Sequence, residues 1–401
     1  MKDLEKKARA YALKNAVAHG GKAVHGAVIS GLFNEGLKKS EVGKYVKEIS
    51  KIVAKVNKLS LEEQKKEFGS LGNVVSEREV REGLPELPNA KKGKVVMRFA
   101  PSPSGAYHVG NALTASISFD YIMRYGGIFY IRIEDTNPEN IYKPAYKMIE
   151  QESKWLFDGK GKIVIQSDRM ELYYKYVEKL IKAEAVYVCT CENEKFKEFV
   201  AKKKDCPCRK LDVKEDLARW KKMLDKKGFK EGEAVLRFKS NMKDKNPAMR
   251  DFPLARVNTS KHPRVGGKYR VWPLMNLAVA VDDIEMKMTH VIRAKEHRDN
   301  AKRQKMIFKA LGKEKQFPWT GFLGRWKFKD MELSSTKITQ GIKEGKYFGW
   351  DDPKLPTIVA LKKKGYRPEA FWRFAEHVGL NDNDKVISKK DFFELLNSFN
   401  R

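Results

Sequence analysis

The fold is decided by residues 95–133, VVMRFAPSPSGAYHVGNALTASISFDYIMRYGGIFYIRI. The two ends of this stretch, 95–100 and 127–133, are short runs rich in β-branched and aromatic residues, as is typical of strands. The middle, 110–127, is helix-like and ends in two glycines, which often terminate a helix. A strand, a helix and a second strand form a right-handed crossover. The stretch therefore predicts that a parallel α/β sheet begins here.

The turn PSPSGAYHVGNA, residues 101–112, joins the first strand to the helix. Backbone N–H groups at a helix N-terminus bind phosphate well, because they are unpaired and lie at the positive end of the helix dipole. Gly110 and Asn111 are expected at this N-terminus, and His108 could donate to the oxygens of a phosphoryl group. Taken alone, a single histidine before a glycine is equally compatible with a structural role.

The chain is strongly basic, with 82 Lys and Arg against 52 Asp and Glu, a net charge of +30. Such an excess favours a polyanionic partner, because each neutralised phosphate releases counterions. A generally basic, soluble surface is the alternative. No apolar stretch approaches the length of a membrane span, and the first thirty residues lack the apolar core of a signal peptide. We therefore expect a cytoplasmic protein that does not bind membranes.

All four cysteines lie close together in the sequence, as two C-x-C pairs separated by fourteen residues. Clustered thiolates can close a tetrahedral zinc site, whereas disulfides are unusual in a reducing compartment. The expected zinc ligands are Cys189, Cys191, Cys206 and Cys208. Four free thiols are the alternative interpretation.

Composition and hydrophobic pattern divide the chain into three regions. Residues 1–90 are predicted to be a helical extension followed by a Pro- and Gly-rich linker, with Ser40 as the N-cap of one helix. Residues 91–330 carry the α/β pattern, interrupted at 186–260 by a highly charged insertion that contains the cysteines. Residues 331–401 are again predicted to be helical.

Several blocks of sequence resemble, in the same order, those of one enzyme family. These are RFAPSPSGAYHVGN, RIEDTNPE, THVIRAKEHRDN and the long block that begins GWDDPKLPT, and the resemblance extends from about residue 95 to 380. They are similar to the blocks of glutamyl-tRNA synthetase of the archaeal and eukaryotic type, a class I aminoacyl-tRNA synthetase. The resemblance implies an α/β fold with a Rossmann-type catalytic domain, an acceptor-binding insertion at 186–260, a helical N-terminal extension and a helical stem-contact region at 331–401.

The resemblance also implies a reaction. The chain would be a ligase that activates L-glutamate with ATP and Mg²⁺ to glutamyl-adenylate, and then transfers the glutamyl group to the 3′ end of tRNA. His108 carries the first histidine of the HIGH-type motif, and Lys337 is the candidate lysine of a KMSKS-type loop, here ELSSTK. Gly110 and Asn111 would complete the ATP site, with Asn111 standing where the family often has a histidine.

The resemblance also implies which residues bind glutamate. Arg293 matches the arginine that reads the side-chain carboxylate, and Glu134 matches the carboxylate near the substrate ammonium. Arg98, Ala100 and Ser102 match the other positions beside the glutamate. The chain departs from the family at Met275, where a tyrosine is usual. It departs again in the segment 282–290, DDIEMKMTH, at two positions, Ile284 and Lys287.

The resemblance stops before the β-barrel domains with which archaeal relatives read the anticodon. Three explanations are open. The chain is a truncated enzyme, or one half of a split enzyme whose partner chain supplies those domains; it is a paralogue that glutamylates a modified tRNA base; or it is a catalytically silent tRNA-binding protein. The retained charged residues favour the catalytic core of a glutamyl-tRNA synthetase.

Overall fold

The structure is a computed structural model, and it describes residues 3–76 and 83–401. The chain divides into two compact units, Met1–Arg81 and Glu82–Arg401. Each is described by itself below. Within the described residues, no helix is both long and apolar enough to cross a membrane.

The first unit is helical, as its sequence pattern predicts. Its helices are α1 (Leu4–Ala18), α2 (His25–Asn34), α3 (Val42–Val56) and α4 (Leu61–Leu71). Apolar residues from α1, α2 and α3, among them Leu13, Val28 and Ile49, are fully buried together. The unit thus has its own hydrophobic core.

The predicted N-cap at Ser40 is wrong. Ser40 lies inside a short 3₁₀ turn that precedes α3, because the Glu41 carboxylate accepts the backbone N–H of Lys38 at 3.3 Å and fixes that turn. Ser60 caps the next helix instead. Its hydroxyl accepts the N–H of Glu63, and the Glu63 carboxylate accepts the N–H of Ser60 at 2.7 Å, a reciprocal capping box.

The second unit begins with the predicted parallel sheet. Its elements are β1 (Val95–Phe99), α5 (Val109–Tyr125), β2 (Gly127–Ile133), α6 (Ala145–Leu156) and β3 (Gly161–Ile165). The strands run parallel in the order β1-β2-β3. The prediction of an α/β fold with a parallel sheet is confirmed.

A helix and a mainly antiparallel layer follow in sequence. Their elements are α7 (Met170–Lys182), β4 (Val186–Cys189), α8 (Asn193–Ala201), α9 (Val213–Leu224), β5 (Val235–Phe238), β6 (Pro253–Val257) and β7 (Val271–Pro273). Strands β4 to β7 form one antiparallel sheet. The cysteines lie at the end of β4 and after α8.

The chain then returns to the parallel layer. The next elements are α10 (Met275–Glu285), β8 (His290–Ala294), α11 (Arg298–Ala310) and β9 (Trp319–Leu323), and β8 pairs in parallel with β9. Thr289, just before β8, donates its N–H to Val96 of β1 at 3.0 Å, and its hydroxyl accepts the Val96 N–H at 2.9 Å. These bonds place β8 beside β1, although β8 and β9 form a separate two-stranded sheet. Residues at the C-terminal ends of β1 and β8 line one cavity.

The last part of the chain is mostly helical. It contains β10 (Trp326–Phe328), α12 (Ser335–Lys343), α13 (Ile358–Lys363), α14 (Pro368–Val378), β11 (Lys385–Ile387) and α15 (Lys389–Phe399). The short strands β10 and β11 pair in parallel. Buried Phe371 and Phe374 of α14 belong to the same hydrophobic core as α5 and β2, so this region is packed onto the parallel sheet.

Candidate active site

Helix α5 begins with a histidine cap. His108 has an extended backbone, and its Nδ1 accepts the N–H groups of Gly110 at 3.1 Å and Asn111 at 3.3 Å. In return, the Asn111 side-chain oxygen accepts the His108 N–H at 3.2 Å. The sequence led us to expect these N–H groups to be free for phosphate. They are instead satisfied by the imidazole, and the polar group offered at this helix end is the histidine ring.

The protonation state of His108 follows from this cap. Because Nδ1 accepts two hydrogen bonds, the proton of the neutral ring lies on Nε2. Burial lowers the pKa of His108 to about 4. The residue is therefore a neutral imidazole at physiological pH, with Nε2–H as its available donor.

The GWDDPKLPT block lies against the same turn. Val109 donates its N–H to Pro356 at 3.0 Å, and Ile358 donates to the carbonyl of Tyr107 at 2.8 Å. Gly105 packs directly on the indole of Trp350, where a Cβ atom would overlap the ring. Two sequence blocks separated by more than two hundred residues thus form one rigid junction around His108.

A first cavity of about 360 Å³ opens beside this junction. It is lined by the start of α5, including His108, Gly110 and Asn111, by the ends of β8 and β9, and by Leu333. Lys337 is not among the lining residues. Its side chain is 74% exposed, and its ammonium lies 3.1 Å from the Glu332 carboxylate. The structure therefore brings together the predicted ATP residues of α5 but leaves Lys337 outside.

A second cavity of about 260 Å³ adjoins the first and shares Asn111 with it. Four of the five residues predicted to bind glutamate line it, namely Arg98, Ala100, Glu134 and Arg293. The fifth, Ser102, is exposed and does not line the cavity. Met275, the departure from the family pattern, also lines it.

A buried charge network holds two of these side chains. Arg132 is fully buried and donates to Asp283 at 2.6 Å and to Glu134 at 3.0 Å, while Arg98 donates to Asp283 at 2.9 Å. Burial opposes the charge on Asp283, yet the two guanidinium groups hold its pKa at about 2. The network therefore fixes Arg98 and Glu134 at the cavity wall.

Sequence reasoning missed Arg132 and Asp283, although a signal was present. Arg132 is the only charged residue in the apolar run of β2, and Asp283 belongs to an acidic pair at the end of the apolar helix α10. Charged residues inside apolar runs are rarely buried unless they are paired. The sequence thus indicated that Arg132 and Asp283 each have a charged partner, but not which residue that partner is.

Arg293 differs from the other arginines of the site. It is only 9% exposed, and its Nη1 donates to the Gln304 side chain at 2.8 Å. Its Nε has no hydrogen-bond partner among the described residues. Burial, and next the nearby charge of Arg98, lower the pKa of Arg293 to about 10. A buried guanidinium with an open donor and a depressed pKa is a site for an anion.

The four cysteine sulfurs also come together, all within 4.8 Å of one another. The Sγ atoms of Cys189 and Cys206 are 3.8 Å apart, as are those of Cys191 and Cys208, too far for disulfides. Zn–S bonds of about 2.3 Å in a tetrahedron separate sulfurs by about 3.8 Å. Arg219 also lies 3.6 Å from the Cys208 sulfur, and hydrogen bonds from neighbouring thiols lower the Cys208 pKa. The cluster fits a tetrahedral metal ion.

Comparison with known proteins shows the family of this chain. Residues 94–398 match the family described as tRNA synthetases class I (E and Q), catalytic domain. The glutamate–tRNA ligase of Pyrococcus abyssi is 46% identical over 96% of this chain and 69% of its own, and that of Methanobrevibacter smithii is 41% identical over all of this chain and 71% of its own.

Among solved structures, the glutamate–tRNA synthetase of Elizabethkingia anophelis has a TM-score of 0.52 at 21% identity, covering 76% of this chain and 70% of that one. This likeness concerns the fold. The resemblance inferred from the sequence blocks is confirmed, and the chain belongs to the class I tRNA synthetases (E and Q).

Proposed function

We propose that this protein activates L-glutamate with ATP and transfers the glutamyl group to the 3′ end of tRNA. The observation that carries the proposal is the buried, partly unpartnered guanidinium of Arg293, in a cavity that adjoins the one beside His108. Relatives that are 41–46% identical are named glutamate–tRNA ligase, which supports the same reaction.

The first cavity is the proposed ATP site. As the α-carboxylate of glutamate attacks the α-phosphate and pyrophosphate leaves, negative charge builds on the phosphoryl oxygens, and a pre-positioned donor lowers the barrier. We assign this role to the Nε2–H of His108, whose orientation is fixed by its bonds to Gly110 and Asn111. Mg²⁺ would arrive with ATP and neutralise part of the phosphate charge.

The second cavity is the proposed glutamate site. The side-chain carboxylate of glutamate would accept hydrogen bonds from Arg293, and its ammonium would lie near Glu134. A carboxylate compensates the buried positive charge, whereas the neutral amide of glutamine does not. The cavity therefore favours the acid over the amide. Ser102, which is exposed, is not retained in this proposal.

Lys337, in the first turn of α12, would join the ATP site by movement of this turn and of the segment before it. Leu333, four residues earlier in the same segment, already lines the first cavity. Among the residues that the structure describes, Glu332, which is partly exposed, is the ion-pair partner of the Lys337 ammonium, and a surface ion pair of this kind is weak. ATP phosphates offer a stronger counter-charge, so we propose that Lys337 leaves Glu332 when ATP binds.

We further propose that the four cysteines hold a structural zinc ion that stiffens the insertion receiving the tRNA acceptor end. The insertion is highly charged, and the ion would tie the end of β4 to the segment after α8. The domain bounds at 90, 186–260 and 331, and a separate chain carrying an anticodon-binding domain, stay predictions.

The proposed reaction is tested by following radiolabelled glutamate in a mixture with ATP, tRNA and the purified chain. Label that is released from the terminal ribose by mild base supports the proposal. Label that resists base and maps to an anticodon base identifies a base-glutamylating enzyme. No label, from protein that still binds tRNA, identifies a catalytically silent tRNA-binding protein.

A further inference from the structure

A third cavity, of about 540 Å³, lies apart from the two described above and shares no lining residue with either. It is formed by α6, by the segment after α12 and by the start of α13. The lining residues that matter here are Tyr142, Glu152, Trp155, Phe348, Trp350 and Lys362. None of the residues that line this cavity has a role in the proposed reaction.

Its walls are aromatic. The rings of Tyr142 and Trp350 lie 6.1 Å apart at 41°, and Trp155 is half-buried on α6. Phe348 also lines the cavity although its side chain is 73% exposed to water. A large exposed aromatic beside a cavity of this kind is typical of a surface that receives a flat ring, because stacking removes both rings from water.

Glu152 supplies the polar group. It is 6% exposed, and Oε2 accepts the N–H of Tyr107 at 2.8 Å. The N–H of Val359 also faces the carboxyl, but no described residue lies within 3.5 Å of Oε1 as a hydrogen-bond partner. Burial raises the pKa of Glu152 to about 8, so the carboxyl is uncharged at neutral pH. Because Oε2 accepts the Tyr107 N–H, the proton of the uncharged carboxyl lies on Oε1, which is therefore a donor for an acceptor atom of a ligand.

Charge decides the class of ligand. An uncharged carboxyl offers little to a cation, and the Lys362 ammonium lies 5.8 Å from the centroid of the Trp155 ring. The chain as a whole carries +30. Asp351 also lines the cavity, but its carboxylate is paired with Lys363. The remaining positive charges repel a cationic amine and attract an anion attached to a neutral ring.

We propose that the third cavity binds one nucleotide, with its base stacked on the aromatic side chains, the Oε1–H of Glu152 donating to an acceptor atom of the base, and its phosphate near Lys362. The nucleotide is either a free mononucleotide or an unstacked nucleotide of tRNA. A tRNA nucleotide as the ligand rests on the proposed function, whereas a free mononucleotide does not. Because the other oxygen of Glu152 holds the N–H of Tyr107, the residue before His108, the occupied cavity would stiffen the ATP site.

The test uses the full chain with its catalytic site filled by a non-hydrolysable glutamyl-adenylate analogue. AMP, GMP, CMP and UMP are then titrated, and binding is read from tryptophan fluorescence. We expect saturable binding of at least one of them, weakened at least fivefold by Phe348→Ala and by Lys362→Glu. Both residues are exposed, so neither change threatens folding. Met123→Ala and Lys390→Glu, also exposed, are the matched controls and should bind normally.

A second arm measures tRNA affinity for the same variants. Weaker tRNA binding by Phe348→Ala, together with displacement of the mononucleotide by tRNA, assigns the cavity to a tRNA nucleotide. Normal tRNA binding with no displacement assigns it to a free nucleotide. The proposal is overturned if none of the four nucleotides saturates and Phe348→Ala binds tRNA normally. Wild-type glutamate charging, measured separately, decides the proposed function independently of this result.

Discussion

At the residue scale, specificity for the amino acid is assigned to the guanidinium of Arg293. The side chain is buried and donates to Gln304, its Nε has no partner among the described residues, and it lines the same cavity as Glu134. Gln304 was not a sequence candidate. It lies eleven residues further along the chain, on α11, and its spacing carries no signal of a contact with a strand end.

Arg293→Ala should raise the KM for glutamate at least about 100-fold, because a buried charged hydrogen bond to a carboxylate contributes on the order of 3 kcal/mol. The affinity for tRNA should stay nearly unchanged. Steady-state charging and filter binding measure the two quantities, with Arg373→Ala, an exposed arginine on α14, as control. An equal loss of glutamate and tRNA binding would refute the assignment.

Glu152 should make stability depend on pH. Its pKa is about 8 in the folded protein against an ordinary 4.5, so between these values the folded state binds more protons than the unfolded state. Its stabilising contribution is complete below pH 4.5 and is lost as pH rises through 8, at up to about 1.4 kcal/mol per pH unit.

Urea unfolding at several pH values checks this dependence. Glu152→Gln keeps an oxygen acceptor for the Tyr107 N–H but cannot ionise, so the difference in unfolding free energy between variant and wild type should grow in the variant's favour from pH 5 to 8. A difference that does not change with pH would contradict the raised pKa. Glu150→Gln, an exposed residue on the same helix, is the control.

At the element scale, the start of α5 combines a helix cap and the proposed phosphate donor in one side chain. His108 satisfies two of the otherwise unpaired N–H groups of the helix, and the same bonds leave its Nε2–H as the donor at the first cavity. The sequence predicted the strand–helix–strand unit because each element has its own local pattern. It did not predict that the histidine ring would occupy the N–H groups expected to bind phosphate, since that depends on a side-chain rotamer.

The two roles of His108 can be separated by substitution. His108→Ala should lower the free energy of unfolding by about 1 kcal/mol, because the cap is lost, whereas His108→Asn should largely keep stability, since asparagine is a good N-cap. Both should reduce ATP–pyrophosphate exchange by about 10²-fold or more. Exchange near the wild-type rate in His108→Asn would show that the imidazole is not the phosphate donor.

The cysteine cluster is the second element-scale feature. The purified chain should contain about one zinc per molecule, and removal of the metal by a chelator should make the segment 186–260 sensitive to protease, because the ion ties β4 to the segment after α8. Cys206→Ser should behave like the metal-free protein, and the exposed Lys204→Ala should not. Less than a tenth of an equivalent of any transition metal would favour the alternative of four free thiols.

At the scale of the whole molecule, local patterns and their order along the chain were enough to predict the α/β class and the family. The charge network around the second cavity was not predictable, because Arg98 and Asp283 are 185 residues apart and meet only when β1 and α10 pack together. The position of Lys337 was also not predictable from the sequence. Its motif predicts a contact with ATP, but its position depends on where the first turn of α12 lies, and in this structure it pairs with Glu332.

The large positive charge of the chain and its two adjoining cavities are the features expected of an enzyme that joins a small acid to a polyanion. The most direct test of this account is to charge total tRNA with labelled glutamate and labelled glutamine in parallel. The account predicts a kcat/KM for glutamate at least about 10³-fold above that for glutamine, since glutamine leaves the Arg293 charge uncompensated. Comparable charging with both amino acids, or charging with glutamine alone, would contradict it.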